Sequence, residues 1–259
     1  RTPGVQVHIS DAPPRARAVP YAIKAWAAAQ VEAALGRADV TLAWLDPETL
    51  VVAPPRALCL ALGQDVKVQP VFKGNAVARG RLEGTELRDV TVIWRQVPKT
   101  IGRNHFGGRL VFAPDGTLFI TSGERQRFDP AQDLRSNLGK VVRINPDGSI
   151  PADNPFINTP NARPDLWSVG HRNPLGAAIH LETGQLWIHD MGPWHGDELN
   201  APQTGENHGW PLVSNGDNYD GSLIPDHATR PDLAAPVHYW HPAISPSGLI
   251  FYTGSLFPE

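Results

Sequence analysis

Apolar residues fall in short runs that alternate with polar positions, and each run is broken by a turn and answered by a second run. Four segments share this pattern: VTLAWLDPETLVVA from Val40, GRLVFAPDGTLFITSG from Gly108, GAAIHLETGQLWIHDMG from Gly176 and GLIFYTG from Gly248. Alternation over so few positions predicts strands. Pro-Asp-Gly at 114–116 and Glu-Thr-Gly at 182–184 supply the backbone freedom of tight hairpins. KVVRINPDGSI at 140–150 predicts another hairpin.

The units begin near residues 37, 107, 176 and 248, so the pattern recurs about every 70 positions. A repeated all-β unit predicts propeller blades, with an irregular β-sandwich as the other architecture. The period exceeds the roughly 40–50 residues of a common blade, which puts the surplus in loops, where sites are built. Residues 1–36 do not carry the pattern. PPRARAVP reads as extended, and AIKAWAAAQVEAALGR predicts a helix over 22–37. The expected division is an atypical N-terminal segment, 1–36, and a β domain, 37–259.

Composition narrows the function. The 24 glycines and 26 prolines argue against long helices. A net charge of -3 leaves no basic stripe for nucleic acid. The single cysteine, Cys59, excludes an internal disulfide framework and a thiolate metal cluster. No apolar run approaches the roughly 18 residues of a membrane helix. The chain opens on Arg1 and its one methionine is Met191, so a processed protein or a fragment is expected.

Several residues are suited to chemistry. His105 follows Asn104 and precedes two glycines by one position; an imidazole can take a hydroxyl proton near neutral pH. Arg172 in GHRNP offers a planar cation for a developing negative charge. MGPWHGDELN combines backbone carbonyls with Asp197 and Glu198, the oxygen chemistry that calcium prefers. Each also has a plainer reading: a loop histidine, a surface ion pair and a solvated acidic turn.

From about Gly74 onward, ordered segments carry a resemblance. They are AVARGRLEG (76–84), NHFGGRLVFAPDGTLF (104–119), LGKVVRINPDGSIPADNPF (138–156) and WSVGHRNPLGAA (167–178). MGPWHGDELN (191–200), NHGWP (207–211), NYDGS (218–222) and YWHPAISPSG (239–248) follow. Together these resemble the soluble aldose sugar dehydrogenases of the glucose/sorbosone dehydrogenase family. GRADVTLAWLDP at 36–47 is a fainter match to an earlier blade. The resemblance implies a six-bladed propeller, of which this chain would hold about four blades and be incomplete at both ends. It also implies calcium, the cofactor pyrroloquinoline quinone (PQQ), a sugar substrate, an external electron acceptor and a periplasmic or secreted location.

By the same resemblance, His105 is the general base at the sugar's anomeric hydroxyl. Asn104, Arg172, Asn173 and Trp240 lie at the cofactor. The carbonyls of Gly192 and Pro193 hold a catalytic calcium, and Asp197 and Glu198 a structural one. The chain departs from the family at Arg37, where a glutamine is usual, and at His208, where a tyrosine is usual. It ends at Glu259, ahead of the family's basic residues that pair with the PQQ carboxylates. A non-catalytic calcium-binding propeller that takes carbohydrate or protein, and a calcium-dependent lactone hydrolase, are the other classes the sequence admits.

Overall fold

The computed structural model describes residues 41–46, 49–53, 65–71, 74–83, 86–100 and 104–253. The helix expected over 22–37, and Arg37, lie outside the described residues. By its contacts the chain divides into two units, Arg1–Gln69 with Val77–Val92, and Pro70–Ala76 with Ile93–Glu259. Among the described residues every regular element is a strand or a short 3-10 turn, so the all-β expectation holds. No helix among them is long and apolar enough to cross a membrane.

The hairpin expected from Val40 is β1 (Thr41–Asp46) against β2 (Thr49–Ala53), antiparallel, with an irregularity between Trp44 and Asp46. Strands β3 (Asp65–Val71), β4 (Gly74–Glu83) and β5 (Glu86–Arg95) form a three-stranded sheet in chain order.

The second unit carries the blade pattern. One sheet runs in chain order through β6 (Gly107–Phe112), β7 (Leu118–Ser122), β8 (Lys140–Ile144) and β9 (Leu166–Val169). The other runs through β10 (Pro174–Ile179), β11 (Leu186–Asp190), β12 (Asp197–Asn200) and β13 (His238–Trp240). Neighbouring strands in both are antiparallel. Four antiparallel strands in sequence order are the unit of a propeller blade.

Two expected strand pairs are corrected. After β8 the chain makes the Asn-Pro-Asp-Gly turn, with the Gly148 amide on the Asn145 carbonyl, but it does not return as a strand. Both edges of β8 are already taken by β7 and β9, and Pro151 has no N–H to extend a ladder. The described part of GLIFYTG also forms no strand.

Strands β7 and β8 are buried on both faces, which explains their near-continuous apolar runs. Phe119 and Val141 pack against Leu186 and Ile188 of the neighbouring sheet, and Trp167, Ala177 and Ile179 close the contact. Burial of each large side chain contributes about 1.5–3 kcal/mol. The fully buried Lys140 adds a polar pin. Its ammonium donates to the carbonyls of Pro130, Ala131 and Leu138 at 2.7, 2.8 and 2.7 Å, and burial pulls its pKa down to about 7.

The two sheets share a polarity. The β6–β7 and β10–β11 turns lie at one end, and Gly107, Ser122, Pro174 and Asp190 lie at the other. Just inside that second end sits His189, whose ring lies on Gly176. A Cβ at Gly176 would meet the ring at 2.2 Å, so only glycine admits it. Both ring nitrogens are buried with no hydrogen-bond partner, and burial lowers the pKa to about 4.

That shift has a stability consequence. Between pH 6.5 and 4 the unfolded chain takes up a proton at His189 that the folded chain refuses. Stability is therefore complete above about 6.5 and is lost as pH falls through 4, by up to about 3 kcal/mol. Denaturant titrations across this range should show a smaller loss in His189→Leu than in the wild type. Equal slopes would contradict the assignment.

Candidate active site

The strand ends opposite the hairpin turns carry the predicted residues, and backbone hydrogen bonds knit them together. Asp190, at the end of β11, is only 4% exposed. Its carboxylate accepts from the Arg172 amide at 2.9 Å and from the Asn173 amide at 2.5 Å. The Asn173 side-chain oxygen accepts from the Gly107 amide at 3.2 Å, tying β10 to β6. The Arg172 carbonyl accepts from the Glu124 amide at 2.9 Å.

Glu124 is fully buried and follows β7 by two positions. One carboxylate oxygen pairs with His105 Nδ1. The other accepts from the amides of Arg127 and Phe128. Nδ1 of His105 is thereby engaged and Nε2 is the nitrogen left for a proton. His105 itself has a left-handed φ of 52°, and its carbonyl presses on Gly123, where a Cβ would come within 2.2 Å. The position of His105 therefore depends on the glycine just past the end of β7. Asn104 is exposed; its amide donates to Gln126 and its carbonyl accepts from Arg125.

The Arg172 side chain, 5% exposed, reaches across to the loop after β11. Nη1 donates to the carbonyls of Met191 at 2.8 Å and Gly192 at 2.6 Å. Its guanidinium carbon lies 5.3 Å from the Trp210 ring and 5.9 Å from that of Tyr219. Arg172, Gly192, Pro193, Glu198, His208 and Trp210 line one small cavity of about 10 Å³. That is room for about one water; the Arg172 guanidinium lies on the Met191 and Gly192 carbonyls and takes the space.

Asp197 and Glu198 take different positions. Asp197 accepts from the Gly192 amide with one oxygen and from the Ile244 and Ser245 amides with the other, so both oxygens are committed to holding loops. Glu198 lines the cavity, with His227 Nε2 3.3 Å from one oxygen and the Asn200 amide 3.2 Å from the other. Among the described residues no three His, Cys, Asp or Glu side chains gather as a metal site. A calcium ion here would rest mainly on backbone oxygens. Trp240 pairs with Asp197 in the ladder and its ring packs on His238, not among the cavity-lining side chains. His171 and His208 stack at 4.8 Å behind the cavity, and burial holds the His208 pKa well below that of free imidazole.

Glu124 and Asp190 were not singled out from sequence. Their signal was an acidic residue closing a buried apolar strand, in FITSGE and LWIHD. A charge placed there must be fully hydrogen-bonded.

Blade-like sheets with the site in the loops at one end of their strands define a β-propeller protein. The chain belongs to the Glucose / Sorbosone dehydrogenase family, which residues 65–259 match. It is 44% identical over 192 residues to aldose sugar dehydrogenase YliI of Escherichia coli K12, covering 72% of this chain and 51% of that protein. It is similar to a crystal structure of glucose dehydrogenase, with TM-score 0.70 and 42% identity over 75% of this chain and 58% of that one. It also resembles the PQQ-bound aldose sugar dehydrogenase of Streptomyces coelicolor, with TM-score 0.57 and 26% identity over 81% and 64% of the two chains. The chain spans about half the length of YliI.

The buried Glu124 generates a test. Glu124→Gln keeps the shape but turns an acceptor into a donor facing His105 or the amides at 127 and 128. Folding stability should fall by about 1–3 kcal/mol in urea titrations. An unchanged midpoint would show that the carboxylate does not organise this corner.

Proposed function

We propose that this chain carries the active-site portion of an aldose dehydrogenase that oxidises the sugar at its anomeric carbon, with PQQ and calcium. The observation that carries the reading is the meeting of Arg172 with the Gly192 carbonyl, on the same backbone network that fixes His105 through Glu124.

The residues fit both groups. The Gly192 carbonyl already faces a cation, the Arg172 guanidinium, and Pro193 lies beside it in the cavity wall. The buried Arg172 Nε has no hydrogen-bond partner, so the side chain keeps a donor for an acidic ligand. Gly192 and Pro193 would hold calcium, Arg172 and Asn173 would hold PQQ, and Glu198 would serve a second ion with Asp197 anchoring its loop. When bound, PQQ supplies a two-electron oxidant whose quinone calcium polarises.

The protein's own part is positioning and proton transfer. His105 Nε2 accepts the anomeric hydroxyl proton as hydride leaves the same carbon, and the sugar becomes a lactone. Glu124 holds the imidazole in register and stabilises it once protonated. Arg172 presents a fixed cation to the negative charge that grows as hydride departs. The electrons pass to an external acceptor. The reaction runs in the periplasm or outside the cell, a location the family resemblance supports.

With PQQ, calcium and an artificial acceptor, aldose oxidation is expected, and His105→Gln should cut turnover by roughly two to four orders of magnitude. Calcium alone should raise the thermal midpoint, and chelator should reverse it, because a ligand of the folded state stabilises it. Full turnover in His105→Gln would remove the proposed base.

A further inference from the structure

The loop between β12 and β13 borders a second hollow, an open groove of about 670 Å³. That volume lies within the range of small-molecule sites. Its walls are apolar at Pro231, Leu233 and Pro236 and polar at Asn215, Asp226 and Tyr239. It shares no lining residue with the Arg172 cavity. His227 stands between the two: it lines the groove, and its Nε2 lies 3.3 Å from a carboxylate oxygen of Glu198.

The carboxylate of Asp226 is unspent. Asp226 caps the 3-10 turn His227–Thr229, a position where aspartate commonly accepts from the turn's own amides. Here it makes no such bond, and it joins no ion pair among the described residues. Arg230, four positions on, is forked onto Asp232 at 2.8 and 2.7 Å. No lysine or arginine lines the groove. Tyr239, in β13, is 49% exposed, and its hydroxyl makes no hydrogen bond among the described residues.

The groove therefore combines one uncompensated negative charge, one open aromatic ring and apolar walls. An anion would meet no cation there. A metal ion needs several oxygens at once, and among the described residues no such cluster forms. A positive group on an apolar body suits all three features. Its charge meets the carboxylate, the tyrosine face attracts it, and the walls cover its carbons.

We propose that this groove binds a small organic ammonium ion, with Asp226 and Tyr239 taking the charged nitrogen and Pro231, Leu233 and Pro236 its apolar body.

The test titrates the chain as it stands with acetylcholine as probe and 3,3-dimethylbutyl acetate as its neutral isostere. The two share one shape and differ by the charge on a single atom. Acetylcholine should bind about tenfold tighter, by NMR or calorimetry. Amide shifts should gather at 215 and 226–239. Asp226→Asn should bring the ratio to within about threefold, and Tyr239→Leu should weaken acetylcholine by about threefold while sparing the isostere. Asp226 is exposed and asparagine keeps its shape, so that variant should retain the wild-type circular dichroism spectrum. Equal binding of the two probes, binding of neither, shifts confined elsewhere, or a preference unchanged in Asp226→Asn overturns the assignment. Neither probe is an aldose and the titration needs no PQQ or calcium, so its outcome is separate from that of the dehydrogenase reading.

Discussion

A carboxylate cut off from water must fill its lone pairs from the protein, and Asp190 does so with two consecutive backbone amides. Charge-assisted bonds of this kind are each worth about 1.5–3 kcal/mol. Their geometry leaves the Arg172–Asn173 peptide little freedom. With that peptide fixed, the Asn173 side chain meets Gly107, the Arg172 side chain meets Gly192, and the Arg172 carbonyl meets the Glu124 amide. Glu124 then turns to His105. One buried charge at the end of β11 thus sets the relation between a guanidinium, a backbone carbonyl and an imidazole that come from separate loops.

The sheets make this possible because they do not yield. Strands β7 and β8 are buried on both faces, and β11 packs its Leu186 and Ile188 into the same core. Such packing is crystal-like in density and transmits position from one strand end to the next. The loops carry the cost. Arg125, Gln126 and Phe128 lie in conformations worth roughly 1–3 kcal/mol of strain each, offset by the Glu124 and Asp190 networks.

Much of this was legible in the sequence. The Pro-Asp-Gly and Glu-Thr-Gly turns marked the β6–β7 and β10–β11 hairpins, because their glycines supply left-handed backbone at the turn. His105, Arg172, Asn173, Gly192 and Pro193 were expected at the site from the family resemblance; the first four are joined by one hydrogen-bonded network, and Pro193 lines the cavity beside Gly192. The hairpin at 140–150 failed because a turn signal is local, whereas a returning strand needs a free ladder edge that β8 lacks. Trp240 was placed with the cofactor by the family resemblance; in the structure its ring packs on His238 and its backbone pairs with Asp197. Glu124 and Asp190 were missed. Nothing in the sequence tells a solvated acidic residue from one whose oxygens are all spent on amides across two sheets.

If Asp190 governs the site, its two partner amides should report it directly. Hydrogen exchange followed by NMR at Arg172 and Asn173 compares the wild type with Asp190→Asn, whose amide can accept at one oxygen only. At least one of the two amides should exchange faster by roughly tenfold or more, while amides in the middle of β7 and β8 keep their protection. Wild-type exchange at both Arg172 and Asn173 in the variant would mean that the backbone there is held by something else, and the account would fail at its centre.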